Sequence, residues 1–346
     1  MRIHTLLFVV CLLASVFQVQ AANPQSAPPP PPSSLYTSNP GAELWREVRQ
    51  RDGEVRGTTQ VKSTDAGVLI NVSGQLWRQY RMEKLIPIAG VAILVVLAAI
   101  LVFRLVRGKI PIPGGRSGVK ILRFTTNQRY AHWSTAILFV ILGLTGLIML
   151  MGRTVLLPVL GPDAFSVIAA GGKFLHDYLG PLFALSLTWL FVLFVRGNMP
   201  KPGIDLKWLA SGGGMFGKHA HAECYNAGEK GWFWLATIGG LVVVVSGLVL
   251  DFPIFGQTRA TMEFYHIVHS IGAVVLIVVS FGHIYMGTAA IEGTFEIMQT
   301  GYCDANWAKD HHDLWYEKVK DSAGASQPQE SESQPGMAQR PSTDST

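Results

Sequence analysis

The sequence predicts an all-α integral membrane protein, a bundle of transmembrane helices. Of its 346 residues, 49% are hydrophobic and only 15% are charged. The apolar residues are gathered into long runs instead of amphipathic spacing, which excludes an ordinary soluble domain. A hydrocarbon core about 30 Å thick requires about 20 apolar residues in a helix. Five stretches meet this requirement, at 85–106, 131–152, 174–196, 231–250 and 264–290.

A shorter apolar run precedes these five spans. Arg2 and His4 stand before an apolar core at 6–17, and small residues follow at 19–21. This pattern is typical of a secretory signal peptide covering residues 1–21, and an uncleaved anchor is the alternative. Cleavage would leave an exported N-terminus.

Residues 22–84 are predicted to form an exported segment between the signal peptide and the first span at 85–106. An unbroken row of prolines at 28–32 indicates an extended spacer that cannot pack a core. A short helix at 43–49 and a strand at 67–72 follow.

Loop charges predict the orientation, because lysine and arginine concentrate on the cytoplasmic side of a membrane. Basic residues crowd the loop between spans one and two and the loop between spans three and four, whereas the loops at 153–173 and 251–263 contain few. Five spans then place the mature N-terminus in the periplasm and the C-terminus in the cytoplasm of a bacterial inner membrane. A short surface helix at 307–319 and a disordered tail at 321–346 complete the chain.

Four histidines lie at matched depths in this topology. His132 and His283 fall near the cytoplasmic surface, and His176 and His269 near the exported one. His269 and His283 share a span and are separated by about 21 Å along it, within about 40° of one face. Two imidazoles at equal depth suit the axial positions of a b-type haem iron. The sequence therefore predicts two haems b, and the alternative is a proton-relaying transporter or sensor without haem.

Several neighbouring residues have two interpretations. Gly143 and Gly146 share a face with His132 and would leave room for a macrocycle, or they serve close helix packing. Arg129 would pair with a haem propionate, or it is a topogenic charge.

Two more residues flank the histidines. Asp177 either orients the His176 ring or is solvated, and His266 is a substitute ligand or an interfacial residue. His221 and Cys224 lack further ligands at useful spacing, so no metal other than haem iron is predicted.

Spans two to five resemble the gamma (cytochrome b556) subunit of respiratory, membrane-bound formate dehydrogenases, here in a long form with a signal peptide and an extra first span. The likeness covers about residues 120–320, which are predicted to form a four-helix dihaem domain. It is carried by the segments Arg-Tyr-Ala-His-Trp at 129–133, Leu-His at 175–176, Tyr-Asn-Ala-Gly-Glu-Lys at 225–230 and His-Ile-Tyr-Met at 283–286, together with His269. In that family the matching histidines ligate two b haems, paired as above.

The resemblance implies a function. The chain would pass electrons from an iron–sulfur subunit through both haems to menaquinone or ubiquinone on the cytoplasmic side, while a molybdenum or tungsten pterin subunit oxidises formate. It also implies a quinone site at Asn226 and Gly228, with His283 nearby. The residues alone indicate only a turn entering span four. The nearest alternative is the cytochrome b subunit of a nickel–iron hydrogenase or a related quinone oxidoreductase. No nucleic-acid partner is expected.

Overall fold

The computed structural model describes residues 42–50, 55–56, 68–214, 220–254 and 256–323. The predicted signal peptide, the proline row and the tail beyond residue 323 lie outside these ranges. The chain divides into two units, Met1–Val55 and Arg56–Thr346. Helix α1, Ala42–Gln50, is in the first unit and agrees with the short helix predicted there.

The described part of the second unit contains five helices that are long and apolar enough to cross a membrane. They are Gly74–Arg107, Thr126–Val155, Leu157–Phe194, Ala227–Asp251 and Arg259–Ala290. Large apolar side chains remain exposed along them, among them Val106 at 82% and Leu185 at 70%. Such continuous apolar surface suits contact with lipid. The predicted class, a helical membrane bundle, is confirmed.

The helices and strands have the following bounds. In chain order they are β1 (Val55–Arg56), β2 (Val68–Ile70), α2 (Val72–Tyr80), α3 (Ile86–Arg107), β3 (Lys120–Leu122), α4 (Thr126–Val155), α5 (Leu157–Phe194), α6 (Pro202–Ala210), α7 (Ala227–Trp234), α8 (Gly240–Asp251), α9 (Arg259–Tyr285), α10 (Thr294–Thr300), β4 (Tyr302–Asp304), α11 (Ala305–His311) and α12 (Asp313–Ala323). Wide π-helical turns at Arg81–Leu85 and Leu235–Gly239 join α2 to α3 and α7 to α8, and a third, Met286–Ala290, follows α9.

Span three differs from the prediction, because helix α5 begins at Leu157 and residues 157–173 are helical where a loop was expected. The hydropathy pattern detects only the part that could cross the membrane. Isolated charges such as Asp163 and Lys173 interrupt that pattern without interrupting the helix. A local break remains at Gly161, whose φ of 76° is left-handed and precedes Pro162.

Four spans pack into one bundle. Helix α4 lies along α5, where the Thr135 hydroxyl donates to the Ser186 carbonyl at 3.1 Å. Helix α5 contacts α8, α8 contacts α9, and α9 also contacts α4. The first span packs against α9 through α2 and α3. This pattern of contacts agrees with a core of four helices and one added span.

A small cap with its own hydrophobic core covers the end of the bundle where α4 begins. Strand β3 pairs antiparallel with β4, with Ile121 opposite Cys303, and the cap core includes Phe124 and the nearly buried Trp307, 3% exposed. The single helix expected over 307–319 is two helices, α11 and α12, because the chain breaks at buried His312. Helix α12 also continues to Ala323, beyond the predicted start of the disordered tail.

Candidate functional site

The bundle brings the four membrane histidines together as two pairs. The first pair is His176 on α5 and His269 on α9, whose ring centroids are 6.0 Å apart. The second pair is His132 on α4 and His283 on α9, with centroids 6.3 Å apart. These are the combinations that depth predicted. Since both pairs share α9, they lie about 21 Å apart along its axis.

The ring separations fit two imidazoles on opposite sides of one metal ion. Metal–imidazole bonds are about 2 Å long, and each nitrogen lies about 1 Å from its ring centroid, so an iron atom between two such rings requires centroids about 6 Å apart. Both ring separations, 6.0 and 6.3 Å, agree with this value. The donor sets therefore fit bis-histidine haem iron.

Hydrogen bonds define the tautomers of the first pair. His269 Nδ1–H donates to the Val243 carbonyl at 3.0 Å, and because a carbonyl only accepts, the lone pair of this ring is on Nε2. His176 Nδ1 lies 2.9 Å from the Thr145 hydroxyl, which itself donates to the Ile141 carbonyl at 2.9 Å. His176 Nδ1–H is then the donor. Each ring keeps Nε2 free to bind a metal, as in histidines oriented by a neighbouring acceptor.

Asp177 and His266, the two residues that flank the histidines in the sequence analysis, contact side chains other than the paired histidines. Asp177 accepts a hydrogen bond from Lys173 at 2.6 Å, so His176 is oriented instead by the hydrogen bond that its Nδ1–H donates to the Thr145 hydroxyl. His266 stacks on Trp77, with centroids 5.7 Å apart and planes 11° apart. This contact favours the interfacial interpretation of His266.

A cavity of about 460 Å³ adjoins the first pair and is lined by residues of α4, α5, α8 and α9. Its volume falls within the range of small-molecule and cofactor sites. A Cβ atom on Gly146 would lie 3.4 Å from His176 Cε1, and one on Gly247 would lie 3.1 Å from His269 Cε1. Gly146 thus leaves room beside a ligand ring, and so does Gly247, which the sequence analysis missed. Gly143 lines the same cavity.

Aromatic rings hold the second pair. Trp232 stacks on His283 at 4.9 Å with planes 19° apart, and Trp133 meets His132 edge-on at 5.3 Å. The Trp133 indole donates to the Met298 carbonyl at 3.1 Å. Within the described residues, His132 Nδ1 is buried without a hydrogen-bond partner. Packing therefore orients this pair. Trp232 has no distinguishing sequence signal.

The predicted quinone residues form the N-terminus of α7. Asn226 Oδ1 accepts the Glu229 backbone N–H at 2.9 Å, and Glu229 Oε2 accepts the Asn226 N–H at 3.0 Å, which is a capping box. A Cβ atom on Gly228 would come within 3.1 Å of the Trp208 ring. The predicted turn is a helix cap, and the same helix reaches the second pair through Trp232.

A buried charged cluster anchors this end of α7. Arg123 Nη2 lies 2.6 Å from the Cys224 carbonyl oxygen, 3.0 Å from Glu229 Oε1 and 3.0 Å from His312 Nε2, so its two hydrogens are shared among three acceptors. His312 Nδ1–H donates to the Glu223 carbonyl at 2.6 Å. Burial and the nearby Arg123 charge lower the pKa of His312 to about 3. His312 is therefore neutral, and both of its ring nitrogens are satisfied.

Arg129 lies at the same end of the bundle. Its guanidinium donates to the Gln299 carbonyl and, at 3.4 Å, to the Met298 carbonyl, both in the last turn of α10. These contacts complement the helix dipole. The role predicted for Arg129 towards a propionate stays a prediction.

Comparison with known proteins points to one family. The family model of prokaryotic cytochrome b561 matches residues 123–301, more than half of the chain. The formate dehydrogenase cytochrome b556(fdo) subunit of Escherichia coli strain K12 is 29% identical over 205 residues, which cover 58% of this chain and 93% of that protein. The nitrate-inducible cytochrome b556(Fdn) subunit of the same strain is 27% identical over 206 residues, 58% and 92% of the two chains.

A third relative is the formate dehydrogenase cytochrome b556 subunit of Haemophilus influenzae, which is 24% identical over 204 residues, 57% of this chain and 82% of that protein. The matched region contains all four paired histidines. The chain therefore belongs to the prokaryotic cytochrome b561 family, and as a helical membrane cytochrome of this family it binds haem b and transfers electrons.

Proposed function

We propose that the chain is the membrane cytochrome b subunit of a formate dehydrogenase in the bacterial inner membrane. It takes electrons from an iron–sulfur subunit on the exported side and delivers them to a quinone on the cytoplasmic side. Formate is oxidised by a molybdenum or tungsten pterin partner. The names and the nearly complete coverage of the E. coli relatives support this assignment.

Two haems b are bound, one by His176 and His269 and one by His132 and His283. The observation that carries this proposal is the pair of ring separations, 6.0 and 6.3 Å. Bound haem b supplies one-electron redox chemistry. The protein orients the first pair by hydrogen bonds and the second pair by aromatic packing, and it surrounds both with apolar side chains.

Quinone reduction takes place beside the second pair. The basic loops orient this end towards the cytoplasm. Asn226 uses its side-chain oxygen in the helix cap, so its Nδ2–H group is the donor available to a quinone carbonyl, and Gly228 and His283 complete the site. Quinone takes up two electrons and two protons to become quinol. These protons are drawn from the cytoplasm, which adds to the membrane potential. Moving one elementary charge across a potential of 100 mV is worth about 2.3 kcal/mol.

Haem quantification per chain in the purified protein, with a reduced-minus-oxidised spectrum, tests the cofactor assignment. We expect two b haems in the wild type and one in His269→Ala or His283→Ala. His221→Ala is the control, because His221 lies outside the spans and pairs with Asp313. It should keep both haems. A wild type without haem, or loss of haem in His221→Ala alone, would contradict the assignment.

The choice of electron donor tests the complex. In membranes that contain the whole complex, formate should reduce the haems and hydrogen should not. Reduction by hydrogen would instead identify the cytochrome b of a hydrogenase.

Asn226→Ser tests the quinone site with the helix cap preserved, since serine also caps helices but lacks the amide donor. Quinol formation should slow while haem reduction by formate is retained. Thr125→Ser, which makes a similar change at the N-cap of α4, is the control and should leave quinol formation unchanged. Loss of haem in Asn226→Ser would show that Asn226 is structural.

A further inference from the structure

The first span contributes to the cavity of the first histidine pair, although it lies outside the family match, which begins at residue 123. Trp77 in α2 and Arg81 in the following π-helical turn both line that cavity. The rest of the described lining comes from α4, α5, α8 and α9. The added span is therefore part of the site.

Three side chains hold residues 71–81 over the cavity. Trp77 stacks on His266 of α9, and Asn71 Nδ2 donates to Glu263 Oε1 at 2.8 Å. Arg81 Nη2 donates to the Met149 and Leu150 carbonyls of α4, at 2.6 and 2.8 Å. The segment is thus attached to two helices that carry or flank the histidines.

Arg81 has a charge that the described protein residues do not neutralise. No carboxylate among the described residues lies within 4.0 Å of its guanidinium, and its Nε is buried without a hydrogen-bond partner. Lys173, the other lysine or arginine in the described part of the cavity wall, is paired with Asp177 at 2.6 Å. A cation in a membrane span pairs with charged groups or with backbone carbonyls, and Arg81 gives only Nη2 to the carbonyls of α4, so its charge and its Nε remain for a further partner.

The missing partner is an anion that the cavity would hold. Haem b is a largely apolar ring with two propionate carboxylates, and arginine binds carboxylates with its planar fork of donors. We propose that Arg81 binds a propionate of the haem held by His176 and His269, with Trp77 closing the cavity beside it. This inference rests on the proposed function. It gives the first span a role in retaining and tuning one cofactor.

A phospholipid phosphate offers similar anion chemistry. Arg78, one helical turn earlier, is exposed and does not line the cavity, so it suits a headgroup at the surface. Arg81 lines the cavity and is fixed to the carbonyl groups of α4. The two arginines thus provide a matched comparison on one helix.

Redox titration of the purified full-length protein tests the inference, with haem counted per chain. Arg81→Gln should lower the midpoint potential of one haem, or release that haem, and leave the other unchanged. The sign follows because removal of a nearby positive charge favours the more positive, oxidised haem. Arg81→Lys should shift the same haem by less. Arg78→Gln should leave both potentials and the haem count as in the wild type.

Unchanged potentials and haem content in Arg81→Gln would overturn the inference, and so would a change confined to the amount of bound phospholipid. If Arg81→Gln does not accumulate, Arg81→Lys decides, because it keeps the charge but not the planar fork. A Lys variant with wild-type potentials would then overturn the inference. A wild type without haem would instead refute the proposed function.

Discussion

The two histidine pairs have nearly equal ring separations in different surroundings. At the first pair, hydrogen bonds from Nδ1 to Val243 and Thr145 orient both rings beside a cavity. At the second pair, Trp232 and Trp133 pack on the rings, and His132 Nδ1 has no partner among the described residues. The same ligand geometry can thus be set either by polar contacts or by packing. The two sites should therefore respond to different substitutions.

The largest expected effect is at the first pair. Gly247→Val should displace His269, because even a Cβ atom would lie 3.1 Å from its ring, and one of two haems should be lost. Gly171→Val is the control, since a Cβ atom at Gly171 meets nothing within 4 Å. Haem per chain after purification is the measurement. A Gly247→Val protein with both haems would show that the first pair is less rigid than described.

The next largest expected effect is a loss of stability at the end of the bundle that holds the second pair. Arg123→Met should destabilise the fold by about 1.5–3 kcal/mol, because it removes the buried donor shared by the Cys224 carbonyl and Glu229. Thermal unfolding in detergent measures this loss. Arg116→Met removes an exposed ion pair with Glu296 and should cost at most about 1 kcal/mol. Equal losses in the two variants would contradict the importance of the buried cluster.

Acid should destabilise the same end. The folded-state pKa of His312, about 3, is below its ordinary value of 6.5, so the unfolded chain takes up the proton first. Stability is unaffected by His312 above pH 6.5 and falls as the pH decreases towards 3, by up to about 1.4 kcal/mol per pH unit. Unfolding temperatures between pH 7 and 5 test this, with His312→Gln as the comparison. An undiminished pH slope in His312→Gln would assign the effect to other groups.

The smallest effect separates the two ways of orienting a ring. Thr145→Val removes a hydrogen bond worth about 1 kcal/mol and should shift the midpoint potential of one haem. Trp232→Leu should shift the other. Redox titration of both variants and of the wild type is the measurement. A shift of the same haem in both variants would break the distinction between the pairs.

The spans and the histidine pairing followed from local patterns. Runs of apolar residues predicted the five helices, and the spacing of His269 and His283 predicted two levels, since one helix carries both. The structure brings the members of each predicted pair together, whereas their role as ligands stays a prediction.

The features missed from sequence depend on contacts between distant segments. Arg123 meets His312, 189 residues away, and Arg81 meets Met149, 68 residues away. No periodicity encodes such contacts. The helical segment 157–173 was missed for another reason, because hydropathy measures the length of an apolar run and not the length of a helix.

The wide turn at Leu235–Gly239 makes the number of residues in span four important for placing its side chains at both histidine pairs. It lies between Trp232, which packs on His283, and Gly247, which lies beside His269. This turn accommodates about one residue more than regular α-helical winding. An extra residue that no wide turn absorbs would rotate the following helix by about 100°, and one of the two contacts would then be lost. A one-residue insertion in the regular part of this helix, between Trp232 and Gly247, should consequently do more damage than most substitutions along the same helix.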